Sequence, residues 1–380
     1  LIRCWGHNEF GQLGQNHTVD IGDDELPTPL NSTIDLETMA IALSGTHYSN
    51  CAIVTGGTLR CWGYNYYGQL GQGHTNHIGD DEDLSPANTT VTFSAAIVGL
   101  SGGYDHICAL LDDGGVRCWG VNGFGRLGLG HTQWIGDNEP VDDENSTVAL
   151  GAKAVEVSAG GHFTCALMES GSVRCWGRND FGQLGLGHVQ AIGDNECLSP
   201  QSSTVTLGDV TVVQLTTGAN HACALLDDGV LRCWGYNASG QLGAGHTNNL
   251  GAISPLTSIN TFVPLNGEIV DIQAGGDHTC ALMESGDLHC WGRSQLGQLG
   301  LGTIESIGDD EVITVDNTHV EFGELRVEAI WVGAEHNCAM LEDTSIRCWG
   351  ANMSGQLGYG HVNSIGDDEP ALLAPALSVF

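Results

Sequence analysis

The chain has 380 residues, with 46 Asp and Glu set against ten Arg and the single Lys153, a net charge of −35. So acidic a surface repels phosphate backbones and argues against nucleic acid as a partner. No run approaches ~18 consecutive apolar residues, so no membrane insertion is expected, and the 56 glycines favour short strands and tight turns over helices.

The chain opens in mid-motif, at Leu1-Ile2-Arg3-Cys4-Trp5-Gly6, and reads as a mature or trimmed form. Cys-Trp-Gly then recurs at Cys4, Cys61, Cys118, Cys175, Cys233, Cys290 and Cys348, at intervals of 57 or 58 residues. Each copy runs into a Gly-rich block such as Asn8-Glu9-Phe10-Gly11-Gln12-Leu13-Gly14. Nineteen residues after each Cys comes an acid, broken only by Ala252 in the fifth repeat. The one-residue insertions fall later, where a surface loop tolerates them. Ahead of six of the seven motifs lies a segment like Gly276-Asp277-His278-Thr279-Cys280-Ala281-Leu282, then a polar turn, which predicts a β-hairpin ending on Cys-Trp-Gly. A repeat of about four short strands cannot bury its own faces, so neighbours must stack. The predicted fold is all-β, a closed seven-bladed β-propeller of 57-residue repeats forming one domain over residues 1–380. An open solenoid would need capping repeats, and neither end resembles one.

The hairpin followed by Cys-Trp-Gly-x-Asn-x-x-Gly-Gln-Leu-Gly resembles the regulator of chromosome condensation repeat family over essentially the whole chain. The resemblance implies a seven-bladed propeller with one blade shared between the two termini. The family's founding role is guanine-nucleotide exchange on a small nuclear GTPase, with chromatin binding; the acidic charge and the cysteine pattern argue against that role. The chain is more similar to secreted members of the fold, including propellers that inhibit β-lactamases by pressing one face onto the enzyme.

Six cysteine pairs share a spacing of ten: Cys51/Cys61, Cys108/Cys118, Cys165/Cys175, Cys223/Cys233, Cys280/Cys290 and Cys338/Cys348. On a tight hairpin such positions face each other with Cβ atoms about 4.5–5.5 Å apart, and modest twisting closes a disulfide. Zinc suits the spacing poorly. Disulfides place the protein outside the cytosol, extracellular or at a cell surface. Cys4 and Cys197 have no partner in this pattern and are free, paired with each other, or linked to another chain. Extending the period past Phe380 leaves about 21 residues, one strand and its turn, to be supplied before Leu1 by further chain or by a neighbouring molecule.

The acidic loops are Asp23-Asp24-Glu25, Asp80-Asp81-Glu82, Asp137-Asn138-Glu139, Asp194-Asn195-Glu196, Asp309-Asp310-Glu311 and Asp367-Asp368-Glu369. Two readings stand. Either the carboxylates form part of a Ca²⁺ shell, or the first Asp fixes a turn by bonding the backbone two residues on. The fifth repeat, with Leu250-Gly251-Ala252-Ile253, then lacks metal. One histidine set precedes this loop (His17, His74, His131, His188, His246, His361) and another precedes the hairpin cysteine (His106, His221, His278, His336). Their recurrence suits packing and backbone hydrogen bonding better than metal ligation. Asn-x-Ser/Thr sequons at Asn16, Asn31, Asn88, Asn145, Asn237 and Asn352 are glycan sites in a eukaryotic secretory pathway.

An enzyme needs one singular constellation, whereas nearly every His, Cys and acid here belongs to a set copied from repeat to repeat. The sequence therefore reads as non-catalytic. The first expectation is an extracellular structural propeller that self-assembles, such as a fibre subunit. The alternative is a protein-binding or inhibitor propeller using one face, for which Tyr64, Tyr66, Tyr67 and Trp134 form the one visible aromatic cluster.

Overall fold

The computed structural model describes residues 2–81, 84–195, 199–254, 256 and 261–377. The chain is a seven-bladed β-propeller built from seven antiparallel sheets. The second repeat shows the plan: Ala40–Gly45, Ser49–Val54, Thr58–Gly63 and the two-residue strand Thr90–Val91 lie side by side in chain order. Among the described residues helix is confined to single turns such as Asp143–Ser146, and none is long and apolar enough to cross a membrane.

Six of the seven Cys-Trp-Gly motifs, all but that at Cys4, lie on the third strand of their sheet. In each of the six the cysteine sits directly opposite the hairpin cysteine, as Cys165 opposite Cys175 and Cys280 opposite Cys290. All six pairs are disulfide-bonded, with Cα atoms 4.0–4.2 Å apart. Among the described residues Cys4 is the one free cysteine, and burial pushes its thiol up to about 12. Cys197 lies outside the described residues, as do Glu82 and Glu196.

The tryptophan of the motif ties one repeat to the one before it. Trp119 is fully buried and its indole N–H donates to the Gln69 carbonyl at 2.9 Å; Trp291 does the same to Gln241 at 3.1 Å. The arginine before the motif's cysteine braces the helical turn ahead of the fourth strand, as where Arg60 donates to the Thr89 hydroxyl. Large buried aromatic area with a satisfied N–H makes this joint a principal source of stability.

The chain forms two compact units. One comprises Leu1–Ile21, Pro27–Asp180 and Gln190–Val205; the other comprises Gly22–Leu26, Phe181–Val189 and Thr206–Phe380. The first holds the sheets of repeats one to four and the second those of repeats five to seven.

Candidate protein-binding face

The acidic loops are joints between repeats. The loop at Asp137 lies on Gly68 so closely that a Cβ there would sit 2.2 Å from the Asp137 amide nitrogen, and Gly68 has φ +75°. The Gly71 to Gly73 stretch then receives the same loop through a Gly73 N–H bond to the Gly136 carbonyl. In the fifth repeat Ala252 lies on Gly182 in the same way, with 2.3 Å from a Cβ to its nitrogen. Docking therefore requires the glycine and not the acid.

The first Asp accepts from the residue that follows it: the Asp81, Asp310 and Asp368 N–H groups donate to Asp80, Asp309 and Asp367. Glu25 and Glu311 accept from the Gly22 and Gly308 N–H groups. Asp23-Asp24-Glu25, Asp309-Asp310-Glu311 and Asp367-Asp368-Glu369 each bring three carboxylate oxygens within 4.8 Å of one another. Burial and the neighbouring Asp raise the Glu25 and Glu369 carboxyls, Glu369 to about 7. Among the described residues Asp80, Asp81, Asp137, Glu139 and Asp194 form no such triad.

Both histidine sets hold backbone or side-chain bonds. His17, His74, His131, His246 and His361 each accept through Nδ1 from the N–H two residues on, at 3.2 Å. In the sixth repeat Thr303 makes that bond with its hydroxyl. The buried His106, His221 and His278 reach the next repeat through Nε2, to Thr164, Thr279 and Asn337 at 2.9 Å. Burial lowers all three, His221 to about 3 and His278 to about 4.

Two of the six sequon asparagines cannot carry a glycan in this fold. Asn237 and Asn352 are fully buried; each accepts from the N–H five residues on, and Asn352 Nδ2 donates to the His361 and Asn363 carbonyls at 2.7 and 2.9 Å. The 57-residue spacing of Asn31, Asn88 and Asn145 also has a structural origin. Asn31 and Asn145 accept from the N–H three residues back, and the Ser or Thr that follows bonds a carbonyl four residues back. Asn317-Thr318 makes the same turn without a sequon. Asn16 is exposed.

The aromatic cluster is larger than the sequence suggested. Tyr66 meets Tyr67 at 5.1 Å and Tyr67 meets Trp134 at 5.1 Å. Tyr64 packs on Phe10 at 4.8 Å and on His77 at 5.0 Å. Phe10 continues to Tyr48, Tyr48 stacks on His47 at 4.2 Å, and His47 leads through Tyr104 to His162. All lie in the first unit and draw on five of the seven tyrosines. Tyr66 is 59% exposed and Trp134 40%, so the surface faces solvent. The residues missed were Phe10, His47, Tyr48, His77, Tyr104 and His162. Aligning the repeats on their cysteines finds four of them, because Phe10, Tyr67 and Phe124 share one position, His77 and Trp134 a second, and His47 and Tyr104 a third, four residues before the hairpin cysteine.

Where the aromatic run ends, charge begins. Arg126 replaces the Gln that accepts a backbone N–H in other repeats; it donates to the Gly123 carbonyl instead, and burial lowers it to about 10. Burial, with Arg126 and Arg178 nearby, lowers His162 to about 4. The Arg178 guanidinium lies 5.3 Å over the Phe124 ring.

A β-propeller with this repeated joint and a solvent-facing aromatic surface belongs to the class of propellers that can present one face to a partner. The chain belongs to the RCC1-like domain family, which matches residues 77–378; a Regulator of chromosome condensation (RCC1) repeat also matches residues 40–69. It is 30% identical to the Ultraviolet-B receptor UVR8 of Arabidopsis thaliana, over 90% of this chain and 74% of that protein. It is 32% identical to the Secretion-regulating guanine nucleotide exchange factor of Bos taurus, over 82% of this chain and 63% of the relative. Among solved structures, yeast RCC1 (Prp20) bound to Kap60 superposes with a TM-score of 0.74 at 21% identity, covering 97% of this chain and 83% of that one. Human WBSCR16 superposes at 0.71 and 19% identity, covering 99% and 94%. These last two likenesses concern the fold.

Proposed function

We propose that this chain is a non-catalytic, disulfide-braced propeller of an oxidising, extracellular setting that docks a protein through the aromatic surface of its first four repeats. The observation that carries the proposal is the continuous run of exposed and half-exposed rings from Trp134 to His162. Aromatic residues supply the anchors of protein interfaces, and a surface of this extent on a strongly charged protein costs solubility unless it is covered. The six disulfides favour an oxidising compartment, since thiols in the cytosol are kept reduced. Among the relatives, the name guanine nucleotide exchange factor denotes a role exercised on a partner protein. The recurrent histidines and acidic loops hold turns and inter-repeat joints, which supports a non-catalytic role.

The test is photocrosslinking from a reactive residue placed at Tyr66, compared with the still more exposed Met353 of the second unit, in the extracellular fraction of the producing cells. Adducts to another protein from position 66 alone support the proposal; adducts from both positions alike, or from neither, overturn it. Light scattering on the non-reduced protein separates the structural reading. Particles of 39.9 kDa fit a docking module, whereas ordered polymers that persist in Tyr66→Ala return the protein to a fibre subunit.

A further inference from the structure

We infer that the partner met by the aromatic surface is a basic protein segment, and that an Arg or Lys side chain of it enters the cavity beside Trp134. This rests on the docking function proposed above and adds the chemistry of what is docked. The cavity has a volume of 830 Å³ and lies between the acidic loop of the third repeat and the helical turn Asp143–Ser146. Trp134 forms one wall and is the end of the aromatic run, through its edge contact with Tyr67. Asp137, Glu139 and Glu144 supply carboxylates to the lining, and Gln133 and Asn145 supply amides; no Lys or Arg lines it.

An indole face beside carboxylates is the chemistry that holds an organic cation, by cation–π attraction and charge pairing together. A metal ion suits this cavity poorly. Among the described residues the loops that converge three oxygens within 4.8 Å are those at Asp23, Asp309 and Asp367, whereas here the carboxylates line a space far larger than a metal ion's shell. A second copy of this chain is also a poor occupant, because two bodies of charge −35 repel each other. The same charge attracts a basic partner from a distance, and the cavity gives that attraction a point of registry.

The experiment measures binding of the peptide acetyl-Gly-Arg-Gly-Arg-Gly-amide by calorimetry at low salt, with its citrulline analogue as the uncharged isostere. The full disulfide-bonded protein is used, and Tm is recorded for every variant. The expected result is binding of the arginine peptide and not of the citrulline peptide, weakened about fivefold or more in Trp134→Ala. Glu144→Gln, whose backbone N–H keeps its bond to Asp142, should also weaken binding, while the equal loss of charge in Glu305→Gln in the second unit should not. If Trp134→Ala fails to fold, Glu144→Gln against Glu305→Gln decides. Binding that falls equally in Glu144→Gln and Glu305→Gln means diffuse attraction to an acidic surface and overturns the inference, as does equal binding of the two peptides or binding of neither. Crosslinking from Tyr66 that survives such a result leaves the docking function standing and removes only the basic partner.

Discussion

Three residues after the cysteine of Cys-Trp-Gly, the second repeat carries Tyr64 and the sixth Arg293. Three residues further, the second repeat has Tyr67, while the fifth and seventh have Ser239 and Ser354. In the first unit these positions build a surface of stacked rings. In the second, apart from the Phe181–Tyr236 pair, they carry the two serines and Arg293, which lies 4.0 Å from Asp277 and 3.7 Å from Glu335. The joints beneath hardly differ, since Trp119 and Trp291 make the same indole bond and Gly68 and Gly297 receive the same loop. The difference teaches where the repeat is constrained. Positions that join one repeat to the next repeat themselves, and positions that face solvent are left to diverge into a recognition surface in one unit and a hydrated one in the other.

Acid should separate the two units most strongly. Burial lowers His221 to about 3 and His278 and His289 to about 4, and also lowers His336, all in the second unit. The first unit has His106 and His162, and its equivalents of His106 in the second and fourth repeats are Ser49 and Phe163. A histidine whose folded pKa is depressed contributes fully above about 6.5 and loses that contribution as pH falls, because the unfolded chain takes up the proton first. The loss is about 1.4 kcal/mol per pH unit for each such histidine. Hydrogen exchange between pH 6.5 and 4.5 should show protection failing in residues 206–377 before residues 27–180; equal loss in both would break the comparison.

The joints should be equally unforgiving in both units. Gly68→Ala and Gly297→Ala each drive a Cβ to within 2.2 and 2.5 Å of a loop nitrogen at φ near +75°, and each should cost about 3–5 kcal/mol in chemical denaturation. A tolerant Gly297→Ala would mean that the second unit is more loosely joined.

The faces should behave in the opposite way. Tyr66→Ala should leave Tm within about 2 °C, since the side chain is largely exposed, while removing most of the partner binding read by crosslinking. Met353→Ala, at 70% exposure in the second unit, should affect neither. The smallest effect is expected at Glu369, whose folded pKa is raised to about 7. Its sign is reversed: stability is fullest below about 4.5 and declines as pH rises through 7, so Glu369→Gln should flatten that decline in thermal melts. Ca²⁺ added at pH 7.5 raises Tm of the native chain more than that of the variant if the Asp367 loop holds metal; equal Tm changes leave it a turn.

Much of the fold was legible from residues alone because its constraints are local and recur. Cys51 and Cys61 announce a hairpin, and the Gly-Gln-Leu-Gly block announces a joint, each repeated at the same interval. The candidate site was half legible: Tyr64, Tyr66 and Tyr67 adjoin in sequence, but Tyr48 joins them from an earlier loop of the same repeat, and Phe10 and Tyr104 from other repeats. The sequons misled for a related reason, since Asn237 and Asn352 are written like glycan acceptors and folded like core residues.

By itself the sequence determined the repeat, its strand content, the pairing of twelve cysteines and the charge, all of which depend on spacing along the chain. Only the tertiary structure decided which repeated residues are joints and which are faces. That distinction depends on burial, and burial of one repeat is made by the backbone of the next: an acid lies on a glycine about 70 residues away, and a tryptophan on a carbonyl 50 residues back.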